Sequence, residues 1–542
     1  MRFKIKGNLV DVYKEKIYPA EIVISENKIE SINSVDEVFS GYILPGLVDS
    51  HVHVESSMLT PAGFSELAVK QGTVAVVSDP HEIANVAGLD GIQYMIESGK
   101  SVPLKFFFGA PSCVPATEFE SSGARIDPED VEKLLMRDDI YFLSEIMNYP
   151  GVITRDKNII RKIDFARKLN KPIDGHAPGI RGDDLERYIQ AGIGTDHECV
   201  SLVEAEEKIS KGMKIQIREG SAAKGFDLFC NLIDRFPEDV MLCTDDIHPD
   251  DLISGHINKL LANGVKKGLN LFNLIRAASI NPALYYNLPV GMLRAGDYAD
   301  MIIVEDLVNF KVSETYIDGK KIYSYGDVLF KINPIQFDNK FRTHQIAPND
   351  LLLVAETDFI RIIEVRDGEL YTGSKVDKAT IIDGFAVADT KRDICKIVVV
   401  DKYNNRKPVT GFISGFGLKD GAIAGSIAHD SHNIIAIGVN DGFICDAVNT
   451  ILDMQGGIAA VSSNKNISMQ LEIAGLMTSS DGKEVAAKYK DLDEFAKFLG
   501  SALSAPYMSL SFMALLVIPE LKIGDRGLFD VNNFRFTSVF VK

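Results

Sequence analysis

Two histidines separated by one valine, His51 and His53, follow an apolar segment at residues 44–48. Alternate side chains of a β-strand point to the same face, so a strand would place both imidazole rings on one side. Neutral imidazole is a common ligand of divalent transition metals. We therefore interpret the pair as the beginning of a metal site. The alternative is a strand that carries two histidines without any metal.

Polar residues of the same kind recur at the ends of later apolar segments. Taken together, the candidate metal ligands are His51, His53, Glu145, His176, His197 and Asp245. Two divalent cations that share a site repel one another, so an anionic ligand must lie between them, and Glu145 fits this role. Such a pair of ions lowers the pKa of water and supplies a nucleophile at neutral pH. Asp245 would bind one ion and accept the proton that the water loses.

Strand and helix patterns alternate eight times across residues 44–285, which predicts a parallel (β/α)8 TIM barrel. The apolar segments end at residues 51–53, 78–82, 108–112, 144–145, 174–176, 195–197, 217–219 and 243–246. The carboxyl ends of the strands form the active face of this fold, so all eight ends would meet at one pocket. A doubly wound open sheet is the alternative α/β fold, but it would not bring eight strand ends together.

The segments on either side of the barrel show short strand patterns. Residues 1–43 and 286–335 resemble each other in this respect, and Asp318-Gly319 is a hairpin signal within the second segment. We expect both segments to form one small composite β-sandwich, into which the barrel is inserted. Residues 340–542 lack the barrel rhythm and predict a C-terminal α+β domain.

Composition narrows the class of protein. The formal net charge of −18 argues against a nucleic-acid or anionic-membrane partner, because phosphates attract basic surfaces. The six cysteines include no Cys-x-x-Cys pair, which is typical of reduced thiols in a cytoplasmic protein. No apolar stretch is long enough for a membrane span. We also expect a homo-oligomer, a dimer.

Several stretches resemble the amidohydrolase superfamily, whose members are metal-dependent hydrolases. The matching stretches are Pro45–Asp49 before the histidine pair, the single histidines of strands five and six, Thr244-Asp245, Asn281-Pro282-Ala283 and residues 296–300. Many members carry a carboxylated lysine on the fourth strand as the metal bridge. Here that strand ends in Ser144-Glu145 and has no lysine, which weakens a hydantoinase or dihydroorotase interpretation.

The missing lysine on the fourth strand and several other stretches make the chain similar to the bacterial adenine deaminase family. The stretches are residues 78–85, 173–179, 194–198, 217–221, 428–433 and 453–457. The resemblance implies hydrolysis of adenine to hypoxanthine and ammonia with a pair of Mn²⁺ or Fe²⁺ ions, and Zn²⁺ is a further candidate. The residues alone indicate a two-metal hydrolase, and only the resemblance supplies adenine as the substrate.

Two alternatives to an adenine deaminase stay open. The first is another cyclic amidase or deaminase of the same superfamily. The second is a metal-free interaction protein on the same scaffold, which would require lost ligands. A zinc deaminase with a His-x-Glu and Pro-Cys-x-x-Cys site is excluded because no Cys-x-x-Cys occurs.

The implied mechanism needs groups beyond the metal ligands. Attack at C6 of adenine requires a second acid that protonates N1, and Glu82 and Glu219 are the candidates. We expect His81 to contact the base and Arg218 to orient the substrate or a carboxylate.

A loop of the C-terminal domain and the residue after Asp245 complete the predictions. His429 and His432 would belong to a lid that contacts the purine or a further metal. The alternative is a turn whose polar side chains cap the local backbone. Asp246 follows Asp245, so strand alternation predicts that it points away from the pocket.

Overall fold

The computed structural model describes residues 2–337, 339 and 341–542. The chain begins with four strands: β1 (Arg2–Asp11), β2 (Lys16–Ser25), β3 (Lys28–Ser34) and β4 (Tyr42–Pro45). Strand β1 shows why they form, because buried Ile5 and Leu9 alternate with exposed Lys4 and Lys6. One face of the strand is therefore apolar and packs into the core, while the other faces solvent.

The next eight strands are parallel and almost fully buried, as expected for strands covered on both faces. They are β5 (Leu47–Val52), β6 (Thr73–Ser78), β7 (Lys105–Ala110), β8 (Ile140–Ile146), β9 (Ile173–Gly175), β10 (Thr195–Asp196), β11 (Lys214–Arg218) and β12 (Val240–Cys243). Their carboxyl ends coincide with the eight ends that the sequence predicts.

The eight strands close into a barrel. Strands β5 to β9 pair in chain order, and so do β10 to β12. The last strand meets the first where the Asp245 amide donates to the His51 carbonyl (2.9 Å) and the His53 amide donates to the Asp245 carbonyl (3.1 Å). Strand β9 meets the start of β10 where the Gly194 amide donates to the Ile173 carbonyl (3.0 Å). The prediction of a TIM barrel is confirmed.

Helices connect the strands around the barrel. They are α1 (Pro61–Lys70), α2 (His81–Lys100), α3 (Pro128–Leu135), α4 (Tyr149–Ile153), α5 (Lys157–Lys168), α6 (Gly182–Gln190), α7 (Leu202–Ser210), α8 (Phe226–Phe229), α9 (Leu232–Arg235), α10 (Pro249–Ser254), α11 (Ile257–Lys266), α12 (Leu271–Ile275) and α13 (Asn281–Tyr285). Several begin at side-chain caps that the sequence displays, such as Thr60 before α1 and Asp127 before α3. Across the described ranges, no helix has the length and apolar character needed to cross a membrane.

The chain then returns to the first sheet. The strands are β13 (Met301–Val304), β14 (Val312–Ile317), β15 (Lys320–Ser324) and β16 (Asp327–Val328). The sheet order is β16-β15-β14-β13-β4-β1-β2-β3, in which β4 pairs parallel with β1 and antiparallel with β13. The two segments that flank the barrel in sequence therefore share one sheet.

The C-terminal domain mixes strands and helices. Its strands are β17 (Phe359–Glu364), β18 (Gly373–Lys378), β19 (Thr380–Ile382), β20 (Phe385–Val387), β21 (Cys395–Val400), β22 (Val409–Ser414), β23 (Ala422–Gly425), β24 (Ile434–Gly438), β25 (Gly457–Val461), β26 (Asn466–Gln470), β27 (Leu521–Gly524), β28 (Gly527–Asp530) and β29 (Arg535–Thr537). Its helices are α14 (Asp441–Asp453), α15 (Gly482–Phe498) and α16 (Pro506–Ser511). The main sheet has the order β18-β17-β22-β21-β24-β23-β25-β26.

This domain covers the loops that follow the barrel strands. The Thr478 amide donates to the Met58 carbonyl after β5 (2.9 Å). The Ser121 amide, after β7, donates to the Asp525 carboxylate (2.9 Å), and the Asn433 side chain donates to the Ser121 carbonyl (3.0 Å). These contacts place the loop between β23 and β24 over the carboxyl ends of the barrel strands.

Candidate metal centre and active site

The six predicted ligands lie together at the mouth of the barrel, each on or just after a different strand end except the histidine pair, which shares β5. All six side chains are buried. The Nε2 atoms of His51 and His53 are 3.3 Å apart, and Asp245 Oδ1 lies 3.4 Å from the first and 3.1 Å from the second. Three donor atoms of this kind at this separation suit one divalent ion.

Glu145 connects this group with the other two histidines. Its Oε1 lies 3.5 Å from His53 Nε2. Its Oε2 lies 2.8 Å from His176 Nδ1 and 3.1 Å from His197 Nε2. Each carboxylate oxygen therefore faces a different set of imidazole nitrogens, which is the arrangement that a bridging ligand requires.

The ring nitrogens of the predicted ligands are turned toward the place where cations would bind. His53 Nδ1 lies 3.1 Å from the Asp79 carbonyl, to which it donates, and this bond leaves Nε2 as the nitrogen that faces His51 and is available to a metal. Within the described residues, the buried His176 Nε2 and His197 Nδ1 have no hydrogen-bond partner. Imidazole nitrogens that face one another around two carboxylates are a donor set that fits divalent metal ions.

The carboxylates of the site are ionised. Burial raises the pKa of Glu145, but His176 and His197 outweigh it and hold that pKa well below its usual range. Burial also raises the pKa of Asp245, yet the nearby Arg218 guanidinium and His51 lower it further than burial raises it. Two negative charges are thus already present where two cations would bind.

Arg218 fixes the orientation of Asp245. Its Nη1 donates to Asp245 Oδ2 at 2.8 Å, and the same guanidinium forms a two-point ion pair with Glu198, in which Nη2 lies 3.1 Å from Oε2. The other oxygen of Asp245 is left to face the histidine pair. The planar two-point pair with Glu198 holds the guanidinium in one orientation, and the guanidinium in turn holds Asp245 through its single bond from Nη1.

Glu82 forms a second buried cluster, between the barrel and the C-terminal domain. It is the second residue of α2, and its Oε1 accepts from His429 Nδ1 at 2.7 Å while its Oε2 pairs with His432 Nε2. His81 Nε2 lies 3.5 Å from Glu82 Oε1. Burial raises the pKa of Glu82, but the three histidines outweigh it and keep the pKa well below the usual range.

A small cavity joins the two clusters. The six predicted ligands form what we call the metal-ligand cluster, and all of them except His51 line the cavity together with Met147. The C-terminal domain contributes His429, Asp430 and an apolar wall. That wall consists of Leu370, Phe512 and Leu515. The site is therefore polar on the barrel side and largely apolar on the opposite side.

Comparison with known proteins agrees with this geometry. Residues 42–322 match the model of the amidohydrolase family, and residues 369–535 match that of the adenine deaminase C-terminal domain. The chain is 51% identical over 544 residues to an adenine deaminase of Methanosarcina barkeri, with 99% of each chain covered. The chain belongs to the adenine deaminase family. The family resemblance predicted from the sequence is confirmed.

Two further members of the adenine deaminase family show the same extent of similarity. An adenine deaminase of Methanosarcina acetivorans is 50% identical over 550 residues, covering 99% of this chain and 100% of the relative. One of Salinibacter ruber is 47% identical over 541 residues, covering 99% of each chain. The similarity therefore includes both the barrel and the C-terminal domain.

Glu219, one of the predicted catalytic residues, lies outside the cavity at the mouth of the barrel. Arg218 ends β11 with its side chain in the mouth, so the next side chain, Glu219, points the other way. The Glu219 carboxylate accepts from the Phe226 amide (3.0 Å) at the start of α8, and it lines a separate cavity with Lys224 and Lys259. The structure therefore leaves Glu82 as the only one of the two predicted acids at the mouth.

Asp246 is a second correction. Strand alternation predicts that its side chain points away from the pocket, but it lines the same cavity as Asp245, and Ser56 Oγ donates to its Oδ1 at 2.5 Å. Strand alternation does not apply because β12 ends at Cys243 and Asp245 has a left-handed backbone, with φ of 57°.

The remaining predicted residues, and several that were missed, meet at the cavity. His81, Arg218, His429 and His432 all lie in or beside the two buried clusters. Sequence reasoning missed Glu198, the partner of Arg218, although its position directly after the predicted ligand His197 could have indicated a role at the site. Asp430 and the apolar wall were also missed, because only the tertiary fold brings them to the mouth.

Proposed function

We propose that the chain hydrolyses adenine to hypoxanthine and ammonia at the mouth of the barrel. The similarity to proteins named adenine deaminase, at about half the residues over 99% of the chain, carries this proposal. The similarity covers the C-terminal domain, which forms one wall of the cavity, as well as the barrel. A site enclosed by both domains suits a small, flat substrate.

We propose that two divalent ions, Mn²⁺ or Fe²⁺ with Zn²⁺ as a further candidate, occupy the cluster of six ligands. His51, His53 and Asp245 would hold one ion, His176 and His197 would hold the other, and Glu145 would lie between them. When bound, such ions lower the pKa of water and so supply a nucleophile at neutral pH. The donor set of imidazole and carboxylate groups supports this choice of metals.

The protein groups around the cluster would move protons. We assign to Asp245 the acceptance of the water proton and its delivery to the leaving amine, because the oxygen not bound by Arg218 faces the histidine pair. Arg218 and Glu198 would keep that carboxylate in place. The nucleophile attacks C6, and N1 must then gain a proton.

We assign protonation of N1 to the cluster around Glu82. Its carboxylate shares hydrogen bonds with His429 and His432 and lies beside His81, so a proton can be held and exchanged within this buried unit. Burial lowers the pKa of His429, but Glu82 raises it more, to about 9, so this imidazole carries a proton near neutral pH. His81, His429 and His432 would also border the bound purine.

Ammonia release from purified protein tests the proposal. The protein is stripped with a chelator, reloaded with Mn²⁺, Fe²⁺ or Zn²⁺, and supplied with adenine, cytosine, hydantoin or dihydroorotate. We expect ammonia and hypoxanthine from adenine alone, only after a metal is restored. Ring opening of a cyclic amide with no action on adenine would instead support the cyclic amidase alternative.

We further propose that the chain has three domains: residues 1–43 with 286–335, residues 44–285, and residues 340–542. We also propose that the protein is a homodimer. The shared eight-stranded sheet supports the first grouping. Limited proteolysis should cut first between residues 330 and 345, and light scattering should give twice the chain mass. A single monomeric mass would contradict the dimer.

A further inference from the structure

Asp430 is a buried carboxylate at the roof of the cavity with no hydrogen-bond partner on one oxygen. It lines the cavity and is 4% exposed, and its Oδ2 has no partner among the described residues. Its Oδ1 lies 3.7 Å from His429 Nδ1 and 3.9 Å from His81 Nε2, distances beyond a good hydrogen bond. A buried carboxylate without such a bond is costly, so an unmet acceptor in a cavity indicates a missing donor.

The neighbours of Asp430 are already committed to other contacts. His429 donates to Glu82, and the Ser431 carbonyl accepts from the Tyr403 hydroxyl at 2.6 Å. The Ser431 hydroxyl accepts from Asn433 at 3.2 Å. The loop is thus held on both sides of Asp430, which leaves this side chain free to face the cavity.

Asp430 and the metal-ligand cluster lie on opposite sides of one small ring, the imidazole of His81. The imidazole of His81 lies between them, with Nδ1 3.5 Å from Glu145 Oε1 and Nε2 3.9 Å from Asp430 Oδ1. A flat heterocycle beside His81 can therefore place one edge at the metal-ligand cluster and another edge at Asp430. Phe512 and Leu515 would cover its face.

An ionised carboxylate is only an acceptor, so its partner must be an N–H or O–H group. Adenine has donors at two places, the amine on C6 and a single N–H on the imidazole part of the purine. The amine sits on the reacting carbon and must face the metal-ligand cluster. We propose that Asp430 accepts a hydrogen bond from the imidazole N–H of the purine and so positions the base and selects for it. This inference rests on the proposed adenine hydrolysis.

The proposal predicts a specific rejection. A purine that is alkylated at this part of the ring has no ring N–H, so it would leave the Asp430 carboxylate buried and unpaired. Sites built to bond an N–H discriminate strongly against analogues that lack it. Selection for the free base would then depend on a single residue of the C-terminal domain.

The test compares two substrates, adenine and 9-methyladenine, with four proteins loaded with the same metal: the wild type, two variants of Asp430 and one control variant. The variants are Asp430→Ala, which also leaves room for the methyl group, and Asp430→Asn, which keeps the shape. The control is Glu120→Gln, because Glu120 is equally buried, has an unpartnered Oε2 and does not line the cavity. Metal content and circular dichroism are recorded for each protein.

We expect the wild type to prefer adenine by about 10²-fold or more in kcat/KM. Asp430→Ala should lower kcat/KM for adenine by about 10- to 150-fold, the value of a hydrogen bond to a charged group, and leave that for 9-methyladenine unchanged or raised. Asp430→Asn should also lower kcat/KM for adenine relative to kcat/KM for 9-methyladenine. Glu120→Gln should keep the wild-type ratio of these two values.

Two results would contradict the account, and they can be told apart: one bears on the role of Asp430 and the other on the proposed function. Equal losses for both substrates in both Asp430 variants, with the substrate ratio preserved, would overturn the role of Asp430, since a structural effect does not depend on the ring N–H. No ammonia from adenine with the metal-loaded wild type would instead overturn the proposed function itself.

Discussion

The two walls of the cavity are built in different ways. The barrel wall carries its polar groups at the ends of parallel strands, whose pairing fixes the positions of His51, Glu145 and Asp245. The opposite wall comes from loops of the C-terminal domain, including Asp430 and Phe512, and is mainly apolar. We infer that the barrel wall holds the metals and performs the chemistry, whereas the C-terminal wall recognises and encloses the base.

The largest effect should follow from breaking the barrel wall. His51→Ala removes a proposed nitrogen ligand, and Glu145→Gln replaces the proposed bridging anion with a neutral amide. Each should lose bound metal and reduce adenine turnover to background, with the fold retained. Metal analysis and circular dichroism measure both properties. Two tightly bound ions and a normal rate in Glu145→Gln would show that another group bridges the metals.

A smaller loss should distinguish Asp245 from its neighbour. Asp245→Asn cannot accept the proton, so kcat should fall by about 10²–10⁴-fold at matched metal content, with a weaker effect on adenine binding. Asp246 lies in the same cavity but is hydrogen-bonded to Ser56, so Asp246→Asn should be milder. If Asp246→Asn were the less active variant, the proton acceptor would be misassigned.

A substitution that disturbs the C-terminal wall should change KM for adenine rather than the amount of bound metal. Lys522 is fully buried, and its Nζ donates to the carbonyls of Leu370 (2.8 Å) and Phe512 (3.0 Å), which carry two side chains of the apolar wall. Burial lowers the pKa of Lys522 to about 7. Lys522→Met should loosen this wall and raise KM for adenine about tenfold, with kcat and bound metal little changed.

A buried lysine whose partners do not line the cavity provides the control for Lys522. Lys396 is also buried in this domain, where its Nζ donates to the Leu351 carbonyl (3.0 Å) and pairs with Asp441. Lys396→Met should lower thermal stability without changing KM. Equal changes of KM in both variants would indicate general loosening of the domain instead of a specific support of the wall.

The smallest effect is expected at Glu219. Its carboxylate accepts from the Phe226 amide outside the cavity, so Glu219→Gln should leave kcat and KM within about twofold of the wild type, as for most substitutions away from a site. Steady-state kinetics with adenine measure this. A 10²-fold drop in kcat would instead indicate that Glu219 is the acid that protonates N1, and would contradict its placement outside the cavity.

The same comparison explains what the sequence could predict. The barrel wall follows from local patterns, because apolar segments form the strands and their polar ends meet at one face, so the sequence could name the six candidate ligands that the structure brings together. Glu219 follows Arg218 at the end of β11, and ordinary strand alternation turns its side chain away from the mouth. Asp246 lies beyond the end of β12, where a single change of backbone direction decides the side. The left-handed backbone of Asp245 is such a change, and no periodicity reveals it.

The C-terminal wall depends on contacts between distant parts of the chain. Histidines in a polar loop could be recognised as candidates, since His429 and His432 stand out by residue type. Leu370, Asp430 and Phe512 resemble ordinary loop and core residues in the sequence. Only the docking of the C-terminal domain on the barrel, through contacts such as Asn433 to Ser121, gives them a place in the site.

The central claim is that adenine hydrolysis requires two metal ions on the barrel wall. Titrating Mn²⁺ into the metal-free, intact protein while following ammonia release from adenine tests it most directly. We predict that activity is absent without metal and rises to a plateau at two ions per chain. A plateau at one ion per chain, or full activity without metal, would contradict the assignment of the six ligands to a two-metal centre.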